Sequence, residues 1–264
     1  MTFCFKYATI ENMEHKFSVI IPVYNGENTI GRAINSIITQ TYGNWELVVI
    51  NDGSTDDTQR VVSSYMKQDK RIRMFVMPNN HGRFSARNLG MKLAAGNWFC
   101  HLDVDDEFMS TYFEVVNDEI NRNPDYDIFH FGMLVKDREI VNNQRYEKGY
   151  RIIEPFKLEE AKEGMKTFDK GHIGIGSFVF RKELINEIGY YPETKIPYGG
   201  DDSLPALLVR QNPIYKEICK QNKEGQWLPL GNPNGDDYAL FWGLTRKHKS
   251  KMIDVLLYIQ HIRI

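Results

Sequence analysis

The chain has 264 residues, of which 42% are hydrophobic and 26% are charged, and its formal net charge at pH 7 is −2. This composition is typical of a globular protein with one large α/β domain and a tail. The small net charge gives no reason to expect nucleic acid as the main partner. The three cysteines, Cys4, Cys100 and Cys219, have neither zinc-binding spacing nor an even number for a disulfide framework, so a reducing compartment is expected.

Short apolar runs alternate with segments of helical period, which predicts βαβ units in an α/β fold. We expect a Rossmann-like, mostly parallel central sheet with helices on both faces. The predicted strands of the first half are 17–23, 47–50, 72–77 and 98–102, and the predicted helices are 30–38, 54–66 and 82–95. The second half is less regular, with a helix near 112–121, a strand near 128–131, a polar stretch to about 170 and a strand at 178–180.

Acidic residues follow the predicted strand 98–102. Asp103 and Asp105 stand at i and i+2 of an extended segment, so their carboxylates point the same way beyond the carboxyl edge of the sheet. Two hard oxygen ligands suit Mg²⁺ or Mn²⁺, with water and phosphate oxygens completing the coordination. An acidic turn that caps a helix starting near Phe108 is an equally good interpretation of these residues alone.

A second acidic segment, 51–57, also follows a strand and opens a helix. Asp52 is a candidate hydrogen-bond acceptor for a nucleobase or ribose at the same rim of the sheet, and Asp56 is a candidate N-cap. A turn and a cap alone would also account for this segment. At the exit of the first strand, Pro22 predicts a rigid bend, and Tyr24 is either a base-stacking side chain or part of the core.

These motifs, in this order and spacing, resemble the family-2 glycosyltransferases with the GT-A fold. The similarity lies in the segments 17–25, 40–47, 51–56, 85–90, 95–98 and 102–106. The resemblance implies that Pro22, Tyr24 and Asp52 border the nucleotide of a nucleoside diphosphate sugar. It also assigns Asp103 and Asp105 to the metal and diphosphate motif, with Asp105 as the first choice for a direct ligand of Mn²⁺ or Mg²⁺.

Three further candidates depend on the same resemblance. Arg87 would bring positive charge near the nucleotide or diphosphate, although its spacing also fits a surface arginine on the third helix. Ser177 is a substrate-binding candidate, because the segments 176–184 and 189–192 are similar to the family's acceptor-side strand and helix. The segment 199–204 resembles the family's Gly-Glu-Asp pattern, whose aspartate is the catalytic base.

The choice of base stays open between two residues. Asp202 is the base if Asp201 replaces the family's glutamate, and Asp201 is the base if the register slips by one. Pro205 stands where relatives usually continue a helix, so the sequence allows both registers. An aspartate pair that caps a helix is the alternative without catalysis.

The resemblance divides the chain into an extension at 1–16, a nucleotide-sugar-binding half at 17–125, an acceptor and catalytic-base half at 126–215, and a tail at 216–264. It implies inverting transfer of a sugar, with a UDP-sugar favoured as donor, to a glycan or lipid-linked acceptor in surface polysaccharide or glycoconjugate synthesis. A sugar nucleotidyltransferase and a non-catalytic nucleotide-sugar-binding homologue are the alternatives. The former usually has a basic, glycine-rich loop after the first strand, where this chain has Pro22 to Glu27 without lysine or arginine.

The expected location is cytoplasmic. No run approaches the roughly 18 apolar residues of a membrane-spanning helix, and no cleavable leader is recognisable. Residues 239–264 mix apolar with basic side chains, which fits either an amphipathic helix on anionic lipid or a segment packed against the domain. The first alternative would make the protein peripheral on the cytoplasmic membrane face.

Overall fold

The computed structural model describes residues 14–141, 144–153, 175–191, 219–221, 227–229 and 248–261. The first half alternates strands and helices in the predicted order. Its elements are β1 (Phe17–Val23), α1 (Ile30–Ile38), β2 (Trp45–Asn51), α2 (Thr58–Gln68), β3 (Ile72–Val76), α3 (Arg83–Leu93) and β4 (Trp98–His101).

The second half contains more strand than the sequence indicates. Its elements are β5 (Glu107–Phe108), α4 (Tyr112–Arg122), β6 (Ile128–Val141), β7 (Gln144–Ile153), a 3-10 turn (Ile175–Ser177), β8 (Phe178–Arg181), α5 (Leu184–Ile188), β9 (Cys219–Gln221), β10 (Trp227–Pro229) and β11 (Ser250–His261). β6 has 14 residues where four were predicted, and β7 lies in the stretch that was predicted to be polar and irregular.

In the described part of the chain, nine strands form one sheet in the order β3-β2-β1-β4-β8-β6-β11-β5, and β7 pairs with β6. The pairings among β1, β2, β3 and β4 are all parallel, as predicted. Beyond β4 the sheet is mixed, because β8 runs antiparallel to both β4 and β6 while β11 runs parallel to β6. The central sheet is therefore parallel in its first half and mixed in its second.

The strands β1, β2 and β4 are buried on both faces, which explains their nearly continuous apolar sequences, whereas the edge strand β3 is partly exposed. Alternate residues of β1 enter two different clusters. Val19 and Ile21 pack with Ile34 of α1, whereas Ile20 lies in a cluster with Ala86 and Met91 of α3. Helices therefore cover both faces of the parallel strands, as the hydrophobic patterns predict.

Within the predicted segment 239–264, residues Ser250–His261 form a strand and not an amphipathic helix, and residues 239–247 and 262–264 lie outside the described residues. Ser250–His261 pairs with β6 over most of its length and with β5 near its end, and it buries Ile253, Leu257 and Tyr258. The prediction of a lipid-bound helix is therefore wrong for these residues, and packing against the domain is confirmed. Among the described residues, no helix has the length and apolarity needed to cross a membrane.

Candidate active site at the carboxyl edge of the sheet

The loops that carry the predicted motifs lie along one edge of the sheet. β1 and β2 run parallel with Val23 opposite Asn51, and β1 and β4 run parallel with Ile20 opposite His101. The loops after these strands therefore leave from the same edge. A Cβ on Gly26 would lie 2.9 Å from the side chain of Val104, so the loops after β1 and β4 are in direct contact.

Hydrogen bonds join the loop after β1 to the loop after β2. The Thr55 amide donates to Asn25 Oδ1 over 2.8 Å, and the Asn25 amide donates to Ser54 Oγ over 2.9 Å. The Glu27 amide donates to Asp56 Oδ2 over 3.0 Å. Asp56 also accepts the amide of Thr58, the first residue of α2. The N-cap of α2 is Asp57, so the prediction of Asp56 as the N-cap is wrong by one residue, and Asp56 mainly joins the two loops.

Asp52 is buried and holds a third loop in place. Its two carboxylate oxygens accept hydrogen bonds from the amides of His81 and Gly82, each over 2.8 Å. The adjacent Gly53 has a left-handed backbone (φ +71), and a Cβ there would lie 2.6 Å from the carbonyl carbon of Asn79. The predicted contact of Asp52 with a base or ribose stays a prediction, and the structure adds that Asp52 orders the approach to α3.

Pro22 and Tyr24 differ in exposure. Pro22 is buried within β1, in register with Ile50 of β2. Tyr24 stands just after that strand with 48% of its surface exposed. The interpretation of Tyr24 as a core residue is therefore wrong, and its ring is accessible at the edge where the acidic loops meet.

Arg87 is not a surface arginine. Its side chain is only 2% exposed, and its Nη2 donates to Asp103 Oδ1 over 2.8 Å. Asp103 is 38% exposed at its side chain, so the ion pair joins a buried guanidinium to a carboxylate at the surface of the site. This charge-assisted contact fixes the orientation of Asp103.

Asp105 and Asp106 lie deeper than Asp103. The backbone carbonyl of Asp105 accepts a hydrogen bond from Arg32 Nη2. Asp106 accepts hydrogen bonds from the hydroxyl of Tyr258 and, over 2.8 Å, from the amide of His261. Burial, together with the negative charges of Asp103 and Asp105, raises the pKa of Asp106 to about 8.

The loop after β4, residues 103–106, is called the acidic loop, and it does not cap a helix. β5 follows it directly, and the next helix, α4, begins only at Tyr112 after an N-cap at Thr111. The turn of the turn-and-cap interpretation is confirmed, since the Asp106 amide donates to the Asp103 carbonyl over 3.0 Å, and its helix cap is wrong for Asp103 and Asp105. No sequence pattern indicates a role for Arg32, Tyr258 or His261, because their contacts to this loop span long stretches of the chain.

A divalent cation held by the carboxylates of Asp103 and Asp105 would take most of its ligands from elsewhere. In the part of the chain that the structure describes, no group of three or more His, Cys, Asp or Glu side chains is arranged to hold a metal ion. Mg²⁺ is typically bound by one or two carboxylates plus phosphate oxygens and water. The negative charge that raises the pKa of Asp106 would also be offset by a cation at this position.

Ser177 lies near the same edge. It ends the 3-10 turn before β8 and is 3% exposed. Because β8 runs antiparallel to β4, with Val179 opposite Cys100, the start of β8 lies beside the end of β4. The candidate bases Asp201 and Asp202 lie outside the described residues, so their assignment stays a prediction.

Comparison with solved structures defines the class of the fold as GT-A-like. The structure resembles the crystal structure of S. aureus TarS 1–349 with a TM-score of 0.60 and 19% identity, covering 93% of this chain and 60% of TarS. The family model described as "Glycosyl transferase family 2" matches residues 18–189. The chain therefore belongs to glycosyl transferase family 2.

Curated relatives agree with this family. The chain is 32% identical to glycosyltransferase GlyA of Streptococcus pneumoniae over 59% of this chain and 23% of GlyA. It is 33% identical to the Escherichia coli UDP-Glc:alpha-D-GlcNAc-diphosphoundecaprenol beta-1,3-glucosyltransferase WfgD over 67% of this chain and 64% of WfgD. It is 28% identical to EpsJ of Bacillus subtilis over 82% of this chain and 61% of EpsJ. The chain thus spans less than two thirds of each of these relatives.

Proposed function

We propose that the chain transfers a sugar from a UDP-sugar to an acceptor hydroxyl with inversion of the anomeric centre. The observation that carries this proposal is that the loops after β1, β2 and β4 leave from one sheet edge and carry Tyr24, Asp52 and the pair Asp103 and Asp105. The buried Arg87 is paired with Asp103 there. In open α/β sheets this edge is where ligands bind. Charged and aromatic side chains suited to a nucleoside diphosphate therefore converge where such a ligand is expected.

Relatives support the choice of donor and acceptor. The name of WfgD states that it uses UDP-Glc and a lipid diphosphate-linked GlcNAc. TarS, whose fold this chain shares, has been crystallised with UDP-GlcNAc and with UDP. For this chain we propose a UDP-sugar donor and a glycan or lipid-linked acceptor, as in the synthesis of surface polysaccharide or glycoconjugates.

In the proposed reaction the acceptor oxygen attacks the anomeric carbon as the bond from that carbon to the diphosphate oxygen breaks. The acceptor proton passes to the carboxylate of Asp202 or Asp201. A single displacement from the face opposite the diphosphate inverts the anomeric centre, through an oxocarbenium-like state. A UDP leaving group and a glycoside are the products.

The residues at the sheet edge would bind and orient the donor. Tyr24 offers an exposed ring to the base, and Asp52 fixes the loop that approaches α3. Arg87 orients Asp103 and adds positive charge near the diphosphate. A Mn²⁺ or Mg²⁺ ion held by Asp105 and Asp103 would offset the charge that develops on the diphosphate.

Donor binding tests the first half of this proposal. We expect UDP to stabilise the wild-type protein in the presence of Mn²⁺, by about 2.7 kcal/mol at a concentration 100 times the Kd. Asp105→Ala should abolish the Mn²⁺-dependent part of this thermal stabilisation. Asp118→Asn, which neutralises an exposed carboxylate on α4, is the matched control and should behave as the wild type. Equal stabilisation of wild type and Asp105→Ala would contradict the proposed metal site.

Transfer tests the second half. Asp202→Asn should keep Mn²⁺-dependent UDP binding and lose sugar transfer, measured as UDP release in the presence of acceptor. The reverse outcome, with Asp201→Asn inactive and Asp202→Asn active, would move the base to Asp201. Full activity in both variants would remove the base from this segment altogether.

A further inference from the structure

The last described strand, β11, is attached to the acidic loop at its third aspartate. The hydroxyl of Tyr258 and the amide of His261 both donate to the carboxylate of Asp106, which is 2% exposed. Tyr258 is fully buried. Asp106 directly follows Asp105, so a shift of its carboxylate would move the backbone that carries the two proposed donor-site carboxylates.

The opposite side of the loop is held by α1. Arg32 donates to the backbone carbonyl of Asp105, and its Nε lies 3.5 Å from Glu107 Oε1. Glu107 also contacts His261 Nε2 over 2.7 Å and Lys136 Nζ over 3.9 Å. The short segment 103–106 forms a turn in which the Asp106 amide donates to the Asp103 carbonyl over 3.0 Å, and contacts to α1 and β11 hold its last two residues.

Tyr258 also contacts the acceptor side of the site. A Cβ on Gly176 would overlap the ring of Tyr258, so the ring lies directly against the turn that carries Ser177. The hydroxyl end of the same side chain reaches Asp106. One buried side chain therefore lies between the acidic loop and the turn before β8.

We propose that Tyr258 and Asp106 are positioning residues that orient Asp103 and Asp105 toward the diphosphate of the donor. This inference rests on the proposed function, because it gives the oriented carboxylates a ligand. Substitution of a residue that hydrogen-bonds to a metal ligand, without touching the metal itself, commonly lowers metal affinity or activity about 10- to 100-fold. β11, near the C-terminal end of the chain, is thus part of the donor site although it contributes no residue to the predicted motifs.

The order of the loop without any ligand gives the first test. Tyr258→Phe keeps the buried ring and removes only the hydroxyl. We expect faster amide hydrogen exchange in a peptide covering 102–108, with unchanged exchange in β1. Tyr42→Phe is the matched control, because its hydroxyl donates to the carbonyl of His15 over 2.8 Å, away from this loop. Equal exchange of the 102–108 peptide in the wild type and both variants would overturn the proposal.

The affinity for UDP in the presence of Mn²⁺, measured by calorimetry, gives the second test. Tyr258→Phe should weaken it about 10- to 100-fold, whereas Tyr42→Phe should leave it unchanged. Asp106→Asn should bind close to wild type, because an amide can still accept from His261 and contact the Tyr258 hydroxyl, while Asp106→Ala should lose affinity.

The two tests separate this proposal from the proposed function. Wild-type protein that fails to bind UDP with Mn²⁺ would count against the function, and hydrogen exchange would then still decide the role of Tyr258. Wild-type protein that binds UDP, with equal affinity in Tyr258→Phe, would overturn the positioning role alone. Equal loss of affinity in Tyr258→Phe and Tyr42→Phe would also overturn it, since that result indicates a general effect of losing a tyrosine hydroxyl.

Discussion

The two halves of the sheet are built in different ways. In the parallel half, β1 pairs with the next strand in the chain and with β4, and each loop at the carboxyl edge follows directly from its strand. In the mixed half, β6 pairs with β11, so that Ile128 lies opposite Ser250. The first half thus presents the acidic motifs from local segments, and the second half supports them through contacts between distant parts of the chain.

The residues that would touch the donor come from the parallel half, and the mixed half provides residues that hold these donor-site residues in position. Asp103 and Asp105 follow β4, but Tyr258 and His261, which contact the neighbouring Asp106, come from β11. Residues 103–106 of the acidic loop are neighbours in the sequence, whereas Tyr258 and His261, which contact Asp106, lie 152 and 155 positions away. Variants in the parallel half, and one at the junction where Tyr258 of the mixed half meets the loop after β4, therefore give distinct expected effects.

The largest effect is expected in the loops of the parallel half. Gly53→Ala places a side chain on a left-handed backbone and against the carbonyl carbon of Asn79, at 2.6 Å. We expect a loss of about 2–5 kcal/mol of unfolding free energy, from about 1–2 for the backbone and about 1–3 for the overlap, measured by urea unfolding. Gly43→Ala, with nothing within 4 Å of the added carbon, is the control and should change it by about 0.5 kcal/mol or less. Similar losses in both variants would contradict this difference.

An intermediate effect is expected at the junction of the halves. Gly176→Ala pushes a methyl group against the ring of Tyr258, so we expect about 1–3 kcal/mol of destabilisation from overpacking. Because the ring also contacts Asp106 through its hydroxyl, UDP affinity should fall as well. Urea unfolding and calorimetry measure the two effects. Reduced stability with unchanged affinity would show that the junction does not transmit the change to the acidic loop.

The smallest effect is expected at the amino end of the parallel strands, where Glu46 accepts hydrogen bonds from Ser18 and Ala95. Burial raises the pKa of Glu46, but these bonds and the charges of Lys16 and Arg73 lower it overall from its ordinary 4.5. The stabilisation by the ionised group is therefore present above pH 4.5 and is lost as the pH falls through the folded-state pKa.

Glu46→Gln should accordingly cost about 1 kcal/mol of unfolding free energy at pH 7 and less below pH 4.5. Urea unfolding across this pH range measures the difference. The control is Glu114→Gln, which changes an exposed carboxylate with a hydrogen bond from Thr41 and should show a smaller effect. A cost at Glu46 that grows on acidification would contradict the sign of the pKa shift.

Several features of the fold and the site were predictable from local patterns. The alternation of apolar and helical segments predicted β1 to β4 and the helices between them. The position of Asp52, Asp103 and Asp105 directly after parallel strands predicted their common edge. These predictions succeeded because the geometry of a parallel βα unit follows from neighbouring residues.

Other features had no local signal. The burial of Arg87 depends on which face of α3 meets the sheet, and spacing alone also allowed a surface position. The apolar and basic residues of the last segment suited an amphipathic helix, but pairing with β6 made it a strand. Tertiary pairing overrides local preference where it satisfies the backbone hydrogen bonds of a whole segment.

The amino-acid sequence by itself determined the parallel βα units of the first half and the presence of acidic residues at their carboxyl ends, because strand period and turn chemistry act over a few residues. Only the tertiary structure decided that Tyr258 and His261 meet Asp106 and that Arg87 is a buried partner of Asp103. These contacts join residues whose separation along the chain carries no information about their distance in space. The contacts of Asp106 join β11 of the mixed half to the loop after β4, whereas Arg87 meets Asp103 within the first half.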